Sequence, residues 1–454
     1  MHFDEFEIVT KQEGKKIELM KIDFVNRMLN RMELLTFKRP TAVGIKAMKM
    51  EQGLIAWQVR LYSSRRRRMR TKRVIEFLDT LYERENVPGN GIRVYHKGEL
   101  ALEHYTGFQN VAEKIPFSAD TVFHIYSATK ISTCLAIMQY VEQGILRLSD
   151  PISEYIPEYQ NLMVSKENAD GTMAYHPAKT AMTIEHLMSM TSGVNAWTKE
   201  GKAIVDVFLE EGKKPYTLDV VKRVASIPLA FEPGTQFQYG YSHDVLGGLL
   251  EVLSGKTLGE HLTECIFDPL EMNHTAFQVK PQDEKHKTIC YLEFDGNTGT
   301  SKDVGTFLGI GAFKEYERGG GGLVSTVPDY GTLVQTLCNG GISPQGCQLL
   351  KPETLNDMVT NRLGTSQMED FQQWSGRVRQ GYGYGLGVRT MMVPKHNNSL
   401  SEVGEFGWDG ACGCYVLADP KLEVAIFYAQ EEFGTPAWDW HGMLRNLVYA
   451  GLQE

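Results

Sequence analysis

The sequence predicts an α+β fold: an antiparallel sheet flanked by helices, with an inserted all-helical subdomain. Strand patterns stand near both ends of the organised chain, around residues 91–105 and 412–428, and helical spacing dominates between them. Strands so far apart can share one sheet only if the helical stretch, about 131–310, is an insertion. Composition permits a core of that size. Of 454 residues, 42% are hydrophobic and 23% charged, the balance of a folded globular chain rather than a disordered one.

Residues 1–70 read as a basic N-terminal extension, set apart from a domain spanning 71–454. Residues 1–73 hold 18 Lys and Arg against 8 Asp and Glu, so they carry +10 and the remainder −19 within a total of −9. Phe24 to Leu35 has the pattern of a helix. The run Arg65-Arg66-Arg67-Arg68-Met69-Arg70 reads as a solvated linker. Its competing reading, an anchor for RNA or anionic lipid, lacks the interleaved aromatics or RNA-binding motif that would support it. The acidic body argues against nucleic acid as a partner. No apolar run reaches the roughly 18 residues of a membrane span. Met1-His2-Phe3-Asp4-Glu5 does not resemble a secretory signal.

Val74 to Arg84 reads as an amphipathic helix. A hairpin follows, with strands over 91–95 and 100–105 and a turn at Lys97-Gly98. A long helix begins at Ser127, carries Ile131, Cys134, Leu135, Met138 and Val141 at helical spacing, and stops at Gly144. Asn161 to Thr180 reads as a surface loop, Thr183 as a helix start, and Val245 to Leu253 as a helix with Ser242 or Asp244 as its N-cap and Gly255 beyond its end. Gly385 to Thr390 reads as a strand, and 412–417 with 422–428 as a hairpin around Asp419-Pro420. A helix over 438–452 closes the chain. The seven cysteines show no paired C-x-x-C spacing, so no metal site is expected, and reduced thiols in a cytoplasmic protein are the simplest reading. Cys412 and Cys414 would share one face of a strand.

The first chemical signal is Ser127-Ala128-Thr129-Lys130. Serine and lysine at i, i+3 share a helix face, and a lysine there can accept or relay the hydroxyl proton. Alone, S-x-x-K also fits an ordinary helix start with an exposed lysine. No G-x-S-x-G elbow surrounds any serine. Gly319 to Gly322 lacks the Gly-Lys-Ser/Thr of a phosphate loop and reads instead as glycine that lets a strand pass close under a site. No H-E-x-x-H or similar zinc spacing occurs. His243-Asp244 could suggest a Ser-His-Asp triad, although Asp244 suits a helix cap better.

The stretch His124 to Lys130, preceded by Pro116 to Thr121, resembles the nucleophile region of class C β-lactamases and family VIII carboxylesterases. Leu146 to Ile152, Thr183 to Gly193, Glu232 to Thr235 and Gly319 to Thr326 are similar to further landmarks of that β-lactamase-related group, in order. The resemblance covers about 72–454 and implies a β-lactamase/penicillin-binding transpeptidase-like fold. It implies a serine hydrolase working through an acyl-enzyme on a small-molecule ester or amide, without cofactor. It sets Ser127 as nucleophile, Lys130 and Tyr239 as proton-handling partners, and the N–H groups of Ser127 and Ala411 as an oxyanion hole. A free phenol ionises near ~10 and is a poor base at neutral pH, so Lys130 must share the proton load. Tyr241 stands where β-lactamases carry an asparagine and competes with Tyr239 for the catalytic place. Glu405 to Ala411 matches the strand that carries Lys-Thr-Gly, with Trp408 at the lysine, Asp409 at the threonine and Gly410 at the glycine.

Tyr126, Tyr241, Trp408, Asp409 and Gly410 are thus expected to line the substrate. Asp409 is expected to repel a carboxylate, and Trp408 to offer an indole to an apolar acyl chain, unless it is simply a packed aromatic. Carboxylic esters are the expected substrates. A β-lactamase, a D-alanyl peptidase or a transacylase would use the same residues, and an idle scaffold or penicillin-binding receptor is the non-enzyme alternative. No oligomeric state is read from the sequence.

Overall fold

The computed structural model describes residues 6–10, 43–49, 55–61, 69–195, 208, 212, 214–288, 290–295, 300–302, 315–433 and 437–452. The chain divides into two compact units, Met1–Arg68 and Met69–Glu454. In the first, β1 (Phe6–Thr10), β2 (Val43–Lys49) and β3 (Ile55–Leu61) form an antiparallel sheet with β3 central. The helix expected over Phe24–Leu35 and the Arg65–Arg68 run lie outside the described residues.

The second unit is built on an eight-stranded sheet. Helix α1 (Lys72–Arg84) leads into the hairpin β4 (Gly89–His96) and β5 (Glu99–Asn110), whose turn residues Lys97 and Gly98 both have positive φ, 54° and 74°. That two-residue turn matches the strand twist. After β6 (Ile115–Pro116) and β7 (Phe123–His124) come α2 (Thr129–Glu142) and α3 (Ser242–Ser254), then β8 (Val324–Ser325), α4 (Val327–Cys338) and α5 (Thr365–Ser375). The last strands are β9 (Tyr382–Tyr384), β10 (Arg389–Met391), β11 (Phe406–Gly407), β12 (Tyr415–Asp419) and β13 (Val424–Gln430), followed by α6 (Ala437–Leu452). The sheet order is β9-β10-β11-β12-β13-β4-β5-β6, with every neighbour antiparallel. The β13–β4 pair, from Val424↔His96 to Gln430↔Asn90, joins the two ends of the chain.

All seven residues of β13 are buried because both faces of the sheet are covered. Ile426 and Tyr428 join Ile92 and Val94, Leu78 and Leu81 of α1, and Leu444 and Val448 of α6. Ala425 and Phe427 join the opposite core with Ile131 and Leu135 of α2 and Val334 of α4. Fully burying each such aliphatic or aromatic side chain contributes about 1.5–3 kcal/mol. The period-two alternation therefore feeds two cores, and α2, which begins beside the candidate site, is anchored in the larger one.

Four local expectations are corrected. Residues 161–180 contain an antiparallel hairpin, Met163–Glu167 with Met173–Pro177; with Tyr291–Asp295 and Thr300–Lys302 also extended, the insertion is not all-helical. The strand expected over Gly385–Thr390 is broken by a turn, with Gly387 at φ 84° and Gly385 N–H bonded to Val388 O. Cys412 to Cys414 is a turn because Gly413 sits at φ 100°, so these cysteines do not share a strand face. Helix α3 starts at Ser242, with Tyr241 as its N-cap residue and Asp244 inside its first turn. Among the described residues no helix is long and apolar enough to cross a membrane.

Candidate active site

The segment entering α2 is strained where it meets Ser127. Tyr126 has φ 44°, a left-handed conformation that costs a non-glycine residue energy, and a 3-10 turn over Tyr126–Ala128 precedes the helix. Three bonds fasten the start of α2 to the Gly319–Leu323 segment. Thr129 Oγ1 accepts from Leu323 N–H at 3.1 Å, Thr133 donates to Gly319 O at 2.8 Å, and Lys130 Nζ donates to Gly320 O. Glycine is required there: a Cβ on Gly319 would lie 2.4 Å from His243 O, and one on Gly320 2.6 Å from Asp244 Oδ2. The run is a turn wedged between α2 and α3, not a strand.

On this frame three side chains converge. Lys130 Nζ donates to Ser127 Oγ at 3.1 Å, and Tyr239 Oη donates to the same oxygen at 2.7 Å. Lys130 is buried, with Nζ 4.6 Å from the centre of the Tyr239 ring. Tyr239 is itself held by aromatic neighbours. Trp408 Nε1 donates to Tyr239 Oη at 3.2 Å, and the Tyr239 ring stacks on Trp408 at 5.7 Å and on Trp374 at 4.8 Å. A serine oxygen within reach of an ammonium and a phenol is equipped for nucleophilic attack with proton transfer.

Two backbone N–H groups of this region have no acceptor among the described residues. Among the described residues neither Ser127 N–H nor Ala411 N–H donates to another group of the protein. The strand end before Ala411 is pressed against the Ser127 turn, since a Cβ on Gly410 would lie 2.4 Å from Ile125 O and 2.4 Å from Cys414 Sγ. The close approach that Gly410 permits is thus to the protein's own backbone.

The other expected lining residues are placed differently. Tyr241 is buried, and the Arg318 guanidinium lies 5.5 Å from its ring centre. Tyr126 is also buried, with its hydroxyl 3.4 Å from Cys290 Sγ. Asp409 is buried in an ion-pair cluster. Its carboxylate accepts from Arg389 at 2.6 Å and Arg379 at 2.9 Å. Burial would raise its pKa, but Arg389 and Arg379 hold it below the usual carboxylate range. Trp408 is only 1% exposed. The accessible indole is Trp374, 42% exposed on α5 and nearly parallel to Trp408 at 6.3 Å. His243 and Asp244 form no triad with Ser127. Asp244 pairs with Arg318 at 3.3 Å, and His243 is fully buried with neither ring nitrogen hydrogen-bonded. Burial, with Lys130 nearby, pushes the His243 pKa well down.

Sequence reasoning missed Trp374, Arg379 and the Gly320 carbonyl. Trp374 carried one usable signal, a bulky aromatic at the end of a helical stretch (Thr365–Ser375) that is otherwise mostly polar.

Comparison with known proteins places this arrangement. The family model described as Beta-lactamase matches residues 74–440. Protein Rv1367c of Mycobacterium tuberculosis is 29% identical over 343 residues, covering 74% of this chain and 83% of its own length. The Acyltransferase calJ of Penicillium decumbens is 28% identical, covering 71% and 79% respectively. The solved structure of EstCE1, described as a hydrolase with promiscuous acyltransferase activity, superposes with a TM-score of 0.68 at 22% identity, over 84% of this chain and 98% of that one. The mostly antiparallel sheet with flanking helices, and a family match running from α1 into α6, lead to one assignment: the chain belongs to the Beta-lactamase family, with the fold of its serine hydrolases and acyltransferases.

Proposed function

We propose that the protein is an acyl-transfer enzyme acting on neutral carboxylic esters, with Ser127 as nucleophile. The observation that carries this reading is the meeting of Lys130 Nζ and Tyr239 Oη on Ser127 Oγ, at 3.1 and 2.7 Å. In its reactive form the Tyr239–Lys130 pair holds one proton fewer than an ammonium and a phenol together, and Ser127 passes its proton to that pair as it attacks the ester carbonyl. The N–H groups of Ser127 and Ala411 receive the developing oxyanion. Trp408 Nε1–H, fixed on the phenol oxygen, favours negative charge there while the proton moves. Tyr239 then returns the proton to the departing alcohol, and water releases the acyl group. The reading assigns this chemistry to residues 71–454 and none to the basic segment 1–70, in a cytoplasmic protein.

The test is a slow ester substrate followed by peptide mass spectrometry. An acyl adduct on the peptide carrying Ser127, with turnover abolished in Ser127→Ala, is the expected result; an adduct on Ser242 or Ser325 would overturn it. Transfer to an alcohol in place of water is a second reading, favoured by the acyltransferase name of calJ and by the EstCE1 description. Adding a primary alcohol during turnover separates the two, since only a transferase yields new ester in preference to free acid.

A further inference from the structure

Outside the Ser127 cluster, three segments bring two thiols and a carboxylate together. Tyr291–Asp295 pairs in parallel with Glu432–Phe433, and Tyr291 N–H donates to Glu431 O at 3.1 Å, which sets Cys290 beside Glu431. Glu432 N–H donates to Cys412 O at 3.3 Å, which brings in the turn after Ala411. The Cys290 and Cys412 sulfurs are 3.7 Å apart, and these sulfurs and a Glu431 oxygen all lie within 4.8 Å of one another. Glu431 is 3% exposed. Its Oε2 accepts from His124 N–H at 2.7 Å, whereas Oε1 is buried with no hydrogen-bond partner. A buried carboxylate oxygen left without a donor is costly. His124 Nδ1 lies 3.7 Å from that oxygen.

We propose that Cys290, Cys412 and Glu431 form a binding site for a zinc-class divalent cation. Two sulfur ligands and one carboxylate oxygen suit zinc among the common divalent ions, with a fourth position left for water. Each thiol releases its proton to solvent as its sulfur binds, and the cation satisfies the Glu431 oxygen. The ligands lie 19 or more residues apart in the sequence, so no short spacing motif announces them. The ion would tie the turn after Ala411 to the segment around residue 290, whose cysteine touches Tyr126, the residue before Ser127.

The test uses the full chain, reduced with a phosphine and freed of metal. Titrated cobalt(II) should give one equivalent of a thiolate-to-cobalt charge-transfer band with strong tetrahedral visible bands, and zinc should displace it. Zinc should also protect Cys290 and Cys412, and not Cys265 or Cys347, from alkylation mapped by mass spectrometry. The Cys290→Ser, Cys412→Ser double variant should lose the band, and Glu431→Gln should weaken binding by at least about tenfold. The alkylation map needs no variant, so a folding defect in either variant leaves the proposal decidable. Absence of the thiolate band, or zinc protection falling on other cysteines, would overturn it. These readouts do not involve ester turnover and stand or fall apart from the acyl-transfer reading.

Discussion

Lys130 and Tyr239 address one atom from two elements. Lys130 rises from the first turn of α2 and Tyr239 from the segment before α3, yet both bond Ser127 Oγ, and Nζ lies 4.6 Å from the tyrosine ring centre. Groups that share a proton act as a unit, so their losses should not add. Lys130→Ala and Tyr239→Phe should each lower kcat by at least ~10²-fold, the scale of general acid–base loss. The double variant should be little worse than either. Tyr241→Phe should leave kcat nearly unchanged, because Tyr241 is buried against Arg318. Single-turnover rates across the four variants decide this, and multiplying defects would mean that the two residues act independently.

Asp409 behaves as an internal counter-ion. Replacing it takes a carboxylate partner from two buried guanidiniums, Arg379 and Arg389, each now within 2.9 Å of it, and leaves Arg389 with Glu405 at 3.8 Å. Removing one partner of such a buried pair costs about 3–5 kcal/mol. Asp409→Thr should therefore lower the denaturation midpoint sharply rather than change substrate preference. Urea unfolding of wild type and Asp409→Thr, with ester and β-lactam kinetics on the folded fraction, checks both halves.

A buried histidine and a half-buried glutamate should titrate against one another. Burial lowers the His441 pKa from 6.5 to about 4. Its stabilising contribution is complete above 6.5 and is lost as pH falls toward 4, by up to roughly 3 kcal/mol. Burial raises the Glu251 pKa from 4.5 to about 7, with Glu317 adding to the rise. Its contribution is complete below 4.5 and is lost as pH rises through 7. Between about 4.5 and 6.5 the slopes oppose. Glu251→Gln should make the protein lose stability on acidification from pH 7 to 5 more steeply than wild type, and His441→Gln should do so less steeply. Equal pH slopes in all three proteins would show that neither group titrates as described.

The sheet and the Ser127–Lys130 pair were legible because both are local patterns: strand alternation, and an i, i+3 spacing on one helix face. Ile55, Trp57, Val59 and Leu61 alternate along β3, a strand pattern that reading 1–70 only as a basic extension does not use. Trp408 turns its N–H to Tyr239 and Asp409 its carboxylate to Arg389 and Arg379, partners 20 to 169 residues away that no local pattern announces. What could not be read is what assembles across the fold. The aromatic stack draws on positions 239, 374 and 408, and the thiol–carboxylate cluster on 290, 412 and 431. Neither leaves a spacing in the chain, because tertiary contact and not sequence order brings these residues together.

Substrate preference follows from which aromatic is reachable. The resemblance to class C β-lactamases sets Trp408 where the lysine of their Lys-Thr-Gly strand stands. Here the Trp408 N–H is directed at Tyr239, and the nearby Arg379 guanidinium, 4.7 Å from the Trp408 ring centre, is paired with Asp409. A β-lactam carboxylate thus finds no dedicated cation at that strand. An apolar acyl chain finds Trp374, exposed and stacked on the Tyr239 ring. An aromatic contact of this kind contributes about 0.5–1.5 kcal/mol, or roughly two- to tenfold in binding at about 1.4 kcal/mol per decade. We expect kcat/KM for p-nitrophenyl butyrate to exceed that for nitrocefin. Trp374→Ala should raise KM for p-nitrophenyl octanoate by that factor while changing p-nitrophenyl acetate little, and Trp374→Phe should restore most of the difference. A Trp374→Ala variant that slows both esters equally would show that the indole only positions Tyr239. Nitrocefin turnover matching that of the butyrate ester would show that a carboxylate is accommodated after all.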